Sequence, residues 1–208
     1  MFGDAERIPQ RKREDHTAYC FNCVLSTISF VDAVASEFVE DIYQDAERVD
    51  QGSQSLFYPD INRTSRDNIV TASSLDSRLS RASPPIKFNV LLDVMRLDEF
   101  DRTEDPLEPV VLLNRIRNEL THYSPKWVEG GPKNHTENEY GFEESLQDRF
   151  DLNPLSAPGN AFFPDQCMSF GCAEWATRNS RALVRHFGRR LNIDMRPLSQ
   201  SQKSATKI

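Results

Sequence analysis

The stretch "AYCFNCVLSTISFVDAVASEFVEDIY" limits the fold of this chain more than any other. Its apolar residues Val24, Ile28, Val31, Ala35, Phe38 and Ile42 recur at spacings of three and four. That period places them on one stripe of a helix, predicted to run over 17–49. A helix of that length with a single apolar stripe must cover the stripe with other elements, and helices are the partners expected here. No stretch shows the alternation of a strand, and no segment repeats. The fold class expected is therefore all-α, a helical bundle with long connecting loops.

The remaining segments agree with that class. "DQGSQSLFYPDINRTSRD" is turn-rich, and a weaker helical pattern covers 67–81. "SPP" breaks that pattern and caps a third helix over 86–100, with Phe88, Leu91, Leu92 and Met95 inward. Asp105-Pro106 then starts the next helix. Beyond it lie a polar connection, "SPKWVEGGPKNHTENEYG", and a short helix over 142–150. "NPLSAPGNAFFPDQ" reads as an ordered loop, because Phe162, Phe163 and Pro164 offer it something to bury. A final helix spans 167–191, with Ala176, Leu183, Phe187 and Leu191 on one side and Trp175 as a core anchor. The organisation expected is a flexible segment over 1–15, one helical domain over 16–194, and a flexible tail over 195–208.

At 208 residues the chain is long enough to build a core without disulfides or a structural metal. The pairs Cys20/Cys23 and Cys167/Cys172 sit among aromatic and small apolar residues. Buried, reduced cysteines are expected there, with a zinc site as the lesser alternative. No metal or cofactor is called for. The longest apolar run, Cys23 to Val39, is interrupted by Asp32 and Glu37 and makes a poor membrane span. The opening "MFGDAERIPQRKRED" is charged throughout, so a cytoplasmic protein with no membrane partner is expected.

A net charge of −7 argues against a general coat on nucleic acid. The charge is uneven, however: from Ala176 onward there are eight Lys/Arg and one acid, Asp194. Arg178, Arg181, Arg185 and Arg189 are spaced at three and four, which sets them on one stripe of the last helix. Such a stripe is suited to following an RNA backbone, although solvated charged faces are common. His186 is read as a flank residue, and His16 and His135 are given no role.

The chemistry concentrates in "NRIRNELTHYSPKW". Leu113, Ile116 and Leu120 form the inward stripe of that helix. Asn118 and His122 lie about 40° apart on the opposite side, with Val111, Asn114 and Arg115 in the same general direction. Arg117 falls between the two faces. A histidine that titrates near neutrality can take a proton from a ribose 2′-hydroxyl or return one to a leaving group. A guanidinium beside it can hold the scissile phosphate. A polar helix end with the same residues is also common without any catalytic role.

"RNELTH" matches the R-(polar)-x3-H signature of the HEPN superfamily, the higher eukaryotes and prokaryotes nucleotide-binding domain. "FVDAVASEFVEDIY" resembles the long first helix of HEPN-like bacterial proteins. "IKFNVLLDVMRLDEFDRTEDPLEPVVLLNRIRNELTHYSPKW" resembles their middle block, and "FFPDQCMSFGCAEWATRNSRALVRHF" their last helix. The resemblance implies an all-α HEPN-like bundle and a homodimer in which two motif helices meet. It implies a metal-independent endoribonuclease, a toxin or anti-phage effector, that leaves 2′,3′-cyclic phosphate ends on its RNA substrate. Arg117 would bind phosphate, His122 would act as acid or base, and Asn118 would support their geometry. An antitoxin or other regulatory protein is a further partner the resemblance suggests. Toxins of this family paired with a nucleotidyltransferase carry a tyrosine two residues after the histidine. Ser124 stands there in this chain, with Tyr123 directly after His122, which argues against that pairing. Inactive family members also exist, so the alternative is a non-catalytic module that binds nucleotide, RNA or a protein partner.

Overall fold

The computed structural model describes residues 10–50, 61–122, 137–157 and 159–193. Among them there are seven α-helices and no strand: α1 (Gln10–Asp50), α2 (Arg63–Thr71), α3 (Leu75–Arg81), α4 (Pro84–Val94), α5 (Glu108–Thr121), α6 (Glu137–Leu146) and α7 (Phe170–Arg190). An irregular π-helical turn, Phe162–Gln166, precedes α7 and is interrupted at Phe163. The all-α class is therefore as the sequence indicates. The segments 1–9, 51–60, 123–136 and 194–208, which hold the expected tail and most of the expected loops, lie outside the described residues.

The chain divides into two compact units, Met1–Thr27 with Arg115–Arg178, and Ile28–Asn114 with Asn179–Ile208. No linker marks the division in the sequence, because α1, α5 and α7 each contribute to both units.

In the unit that begins at Ile28, the α1 stripe is sealed: Ile28, Val31, Ala35, Phe38 and Ile42 are all buried. Phe187 lies between Phe38 and Phe88, with ring centroids 5.2 and 4.9 Å away and both contacts edge-on. Edge-to-face rings add to the stabilisation that apolar burial supplies. Asp45 is fully buried and pairs with Arg66 at 3.2 Å. Asn89 also lies inside, and its carboxamide satisfies both backbone groups of Phe100, donating at 2.8 Å and accepting at 2.9 Å.

Several helix boundaries differ from those predicted, each for a local reason. The segment predicted as one helix over 67–81 forms two, because α2 starts earlier and stops at Ala72. Asn62 caps α2 by accepting from the Thr64 amide at 2.9 Å. The prolines of "SPP" form the first turn of α4, where their missing N–H groups are harmless. That helix also ends six residues sooner than predicted. Leu97 N–H donates to Leu92 O at 2.9 Å and Arg96 N–H to Asp93 O at 3.0 Å, with Arg96 at φ 59°. This is a Schellman end, but a non-glycine residue holds its left-handed position. The end of α7 is built the same way, with Asn192 at φ 54° and Ile193 N–H donating to Gly188 O at 2.9 Å.

The unit that includes Arg115–Arg178 is organised around the start of α7. Ser169 caps that helix: its hydroxyl accepts from the Cys172 amide at 2.9 Å and donates to Asp151 O at 2.5 Å. A Cβ at Gly171 would lie 2.7 Å from that same carbonyl oxygen, so only glycine allows the approach. Trp175 is buried against Phe150, with centroids 5.5 Å apart. The expected ordered loop is ordered through Asn153, which bonds Gln166, Asp165 and Leu155. Its phenylalanines are only half-buried, and Phe163 meets Phe142 at 5.3 Å.

Candidate functional site

The last turns of α5 present their polar side chains as the helical period requires. Ile116 and Leu120 are buried, whereas Asn118, Glu119, Thr121 and His122 are exposed. Arg117 is half-buried, consistent with its position between the two faces. Its Nη1 donates to Asn118 Oδ1 at 2.8 Å. The backbone beneath them is closed by His122 N–H donating to Asn118 O at 3.0 Å. Thr121 adds hydroxyl bonds to Arg117 O at 3.0 Å and Asn118 O at 3.1 Å. A guanidinium already bonded to a neutral carboxamide keeps its positive charge and retains donors for an anion. Arg117 and Asn118 thus form a pair, and His122 joins them through the helix backbone. Tyr123 and Ser124 lie outside the described residues.

The outward face is shorter than the helical wheel suggests. Val111 is half-buried, and Asn114, expected on the same side as Asn118, is only 9 % exposed. Its Oδ1 has no hydrogen-bond partner among the described residues. Arg115 is exposed, but its guanidinium lies 4.6 Å from the centroid of the Phe142 ring. Only tertiary packing could show this, because the helical period assigns directions and not neighbours.

Arg178, Arg181, Arg185 and Arg189 are all exposed along α7, and His186 is exposed beside them. None of the four arginines enters an ion pair among the described residues. Their span along the helix axis is about 16 Å. Arg190, which the sequence does not single out, behaves differently: it donates to Asp98 O at 2.5 Å and stacks 4.7 Å from the Phe100 ring centroid.

All four cysteines are free thiols, with Cys20, Cys167 and Cys172 buried and Cys23 half-buried. Burial pushes the Cys172 thiol up to about 12, and nearby Cys20 and Cys23 add to the effect. Cys167 is raised further, again mainly by burial. Thiols held protonated in this way are packing groups and poor nucleophiles. Among the described residues, no three His, Cys, Asp or Glu side chains are grouped to hold a metal ion. Glu14–Arg48 is long and apolar enough to cross a membrane by length and composition. Its apolar stripe, though, is buried inside the protein.

Comparisons with protein-family models, with curated proteins and with solved structures give no match for this chain.

Proposed function

We propose that this chain is a HEPN-type endoribonuclease that acts as a homodimer in the cytoplasm and cleaves RNA without a metal ion. The observation that supports this most is the bonded Arg117–Asn118 pair on α5, with exposed His122 one turn further along. Arg117 turns its remaining donors to a non-bridging phosphate oxygen, and Asn118 holds the guanidinium in place. The imidazole of one His122 accepts the proton of a ribose 2′-hydroxyl. The 2′-oxygen then attacks the adjacent phosphorus, and the bond to the 5′-oxygen breaks. The His122 of a second copy returns a proton to that leaving oxygen. The product ends are a 2′,3′-cyclic phosphate and a 5′-hydroxyl. DNA, without the 2′-hydroxyl, is spared.

The exposed arginines Arg178, Arg181, Arg185 and Arg189 give the RNA backbone a cationic track on a chain that is acidic overall. Such an activity suits a toxin or an anti-phage effector, held in check by an antitoxin or other regulatory protein.

The test is cleavage of labelled RNA in EDTA by wild type, Arg117→Ala and His122→Ala, each with its oligomeric state measured by light scattering. Cutting by wild type alone, with cyclic phosphate ends, is the expected result. RNA or nucleotide binding without cutting would instead identify a non-catalytic module. Equal cutting by all three proteins would remove the site from α5.

A further inference from the structure

The inner face of α7 is anchored, with Cys172, Trp175, Leu183 and Phe187 all buried. Its outer face carries a second pattern. Phe170, Arg178, Arg181, Arg185 and Arg189 stand on one unbroken helix, and its period alone sets them within about 100° of one another. Phe170 is 72 % exposed, although phenylalanine is among the residues most often buried. The ring is not on a loose end. Ser169 before it bonds Asp151 O and the Cys172 amide, and Gly171 after it leaves no room for a Cβ against the Asp151 backbone. Leu152, next to Asp151, is exposed as well. The backbone beneath Phe170 is thus clamped while its ring faces solvent.

The arginines begin about 12 Å further along the axis and follow at steps of about 4.5–6 Å. That interval is close to the step between successive phosphates of an extended strand. None of the four side chains has an ion pair or hydrogen bond among the described residues, so each guanidinium is open to an outside anion. Glu174 shares this face, between Phe170 and Arg178. Its carboxylate repels phosphate and leaves the ring to an uncharged group. A row of arginines suits any polyanion, but the exposed ring at its end narrows the choice. Bases of an unpaired strand stack on aromatic side chains while their phosphates meet cations. We propose that the outer face of α7 is a platform for single-stranded RNA, with Phe170 stacking one base and Arg178, Arg181, Arg185 and Arg189 each holding a phosphate. The inference rests on the RNA reading above and adds that the strand is unpaired, since a duplex keeps its bases in their own stack.

The experiment is fluorescence anisotropy of the full chain with a labelled, single-stranded 2′-O-methyl RNA of about 12 nucleotides, within the usual site size for such surfaces. The methyl group blocks the 2′-oxygen, so binding is read apart from cleavage. Log affinity against log salt should fall with a slope of about −3 for four phosphates, and each Arg→Gln change on the stripe should make it shallower by about 0.7. Phe170→Ala should weaken binding about tenfold and leave the slope unchanged. All five residues are exposed, so the variants should keep the wild-type melting midpoint. Arg81→Gln, at an exposed position of α3, should bind as wild type does. Wild-type affinity in the α7 variants would overturn the proposal, and so would equal weakening by Arg81→Gln, which would mean diffuse attraction. Duplex RNA bound as tightly as the single strand, or RNA displaced by polyglutamate, would also overturn it. Cleavage of ordinary RNA with α7 variants that bind normally would sink this inference and leave the ribonuclease reading standing; α7-dependent binding without cleavage would do the reverse.

Discussion

The two units use their interiors differently. The unit built from Ile28–Asn114 and Asn179–Ile208 holds aromatic and polar contacts in its interior: Phe187 meets two rings, Asp45 meets Arg66, and Asn89 closes both backbone groups of Phe100. The unit built from Met1–Thr27 and Arg115–Arg178 buries thiols and a tryptophan. It leaves a polar helix end open to solvent. The contrast separates what holds the chain together from what it offers to other molecules. Aromatic packing stabilises without offering chemistry, whereas a half-buried arginine beside an exposed carboxamide and imidazole offers chemistry and contributes little to stability.

The largest effect that would sharpen this contrast is expected from Phe187→Ala. Removing a fully buried ring between two others should cost about 3–5 kcal/mol in a urea unfolding experiment. A loss below about 1 kcal/mol would show that the aromatic cluster is not what holds its unit. The second prediction concerns the other core. Cys172 ionises near 12 in the folded chain, against a reference thiol value of 9. Its folded value is raised, so the contribution is complete below pH 9 and is lost as pH rises toward 12. The urea midpoint should hold steady from pH 7 to 8.5 and decline above about 9. Cys172→Ala should lessen that decline, leaving the part due to Cys167, whose thiol is raised in the same way, and an unchanged slope would remove the Cys172 thiol as a cause.

A smaller gain is expected from Arg96→Gly. The residue is exposed and sits at φ 59°, where a side chain costs about 1 kcal/mol that glycine avoids. Thermal melting should rise by a few degrees, and a fall would mean that the arginine side chain contributes a contact. The smallest stability effects are expected at the polar end of α5. Arg117→Ala and His122→Ala should each change unfolding free energy by no more than about 0.5 kcal/mol while abolishing any RNA cleavage. Losses of several kcal/mol would move these residues from the chemical side of the comparison to the structural one.

Much of the helical content is legible because apolar spacing of three and four is a one-dimensional signal. The buried stripe of α1 and the inward Leu113, Ile116 and Leu120 of α5 are positioned as their spacing predicts. Stops are harder to read. The end of α7 carries Asn192, a residue type that tolerates the left-handed conformation, and its predicted end falls within a residue of the observed one. The end of α4 uses the same hydrogen bonds around Arg96, for which no sequence signal exists. The start of α1 at Gln10 was likewise hidden, since its first turns lack the stripe that marks the rest.

At the candidate site, the direction of Asn118 and His122 follows from the helical period alone, and so does the exposure of the four α7 arginines. Tertiary structure decided which polar residues on that face stay open. It buried Asn114 and laid Arg115 over Phe142. The physical reason is that periodicity is a property of the backbone and can be read along the chain. Burial, charge balance and cavity shape depend on residues far apart in sequence, and exist only once the helices have packed.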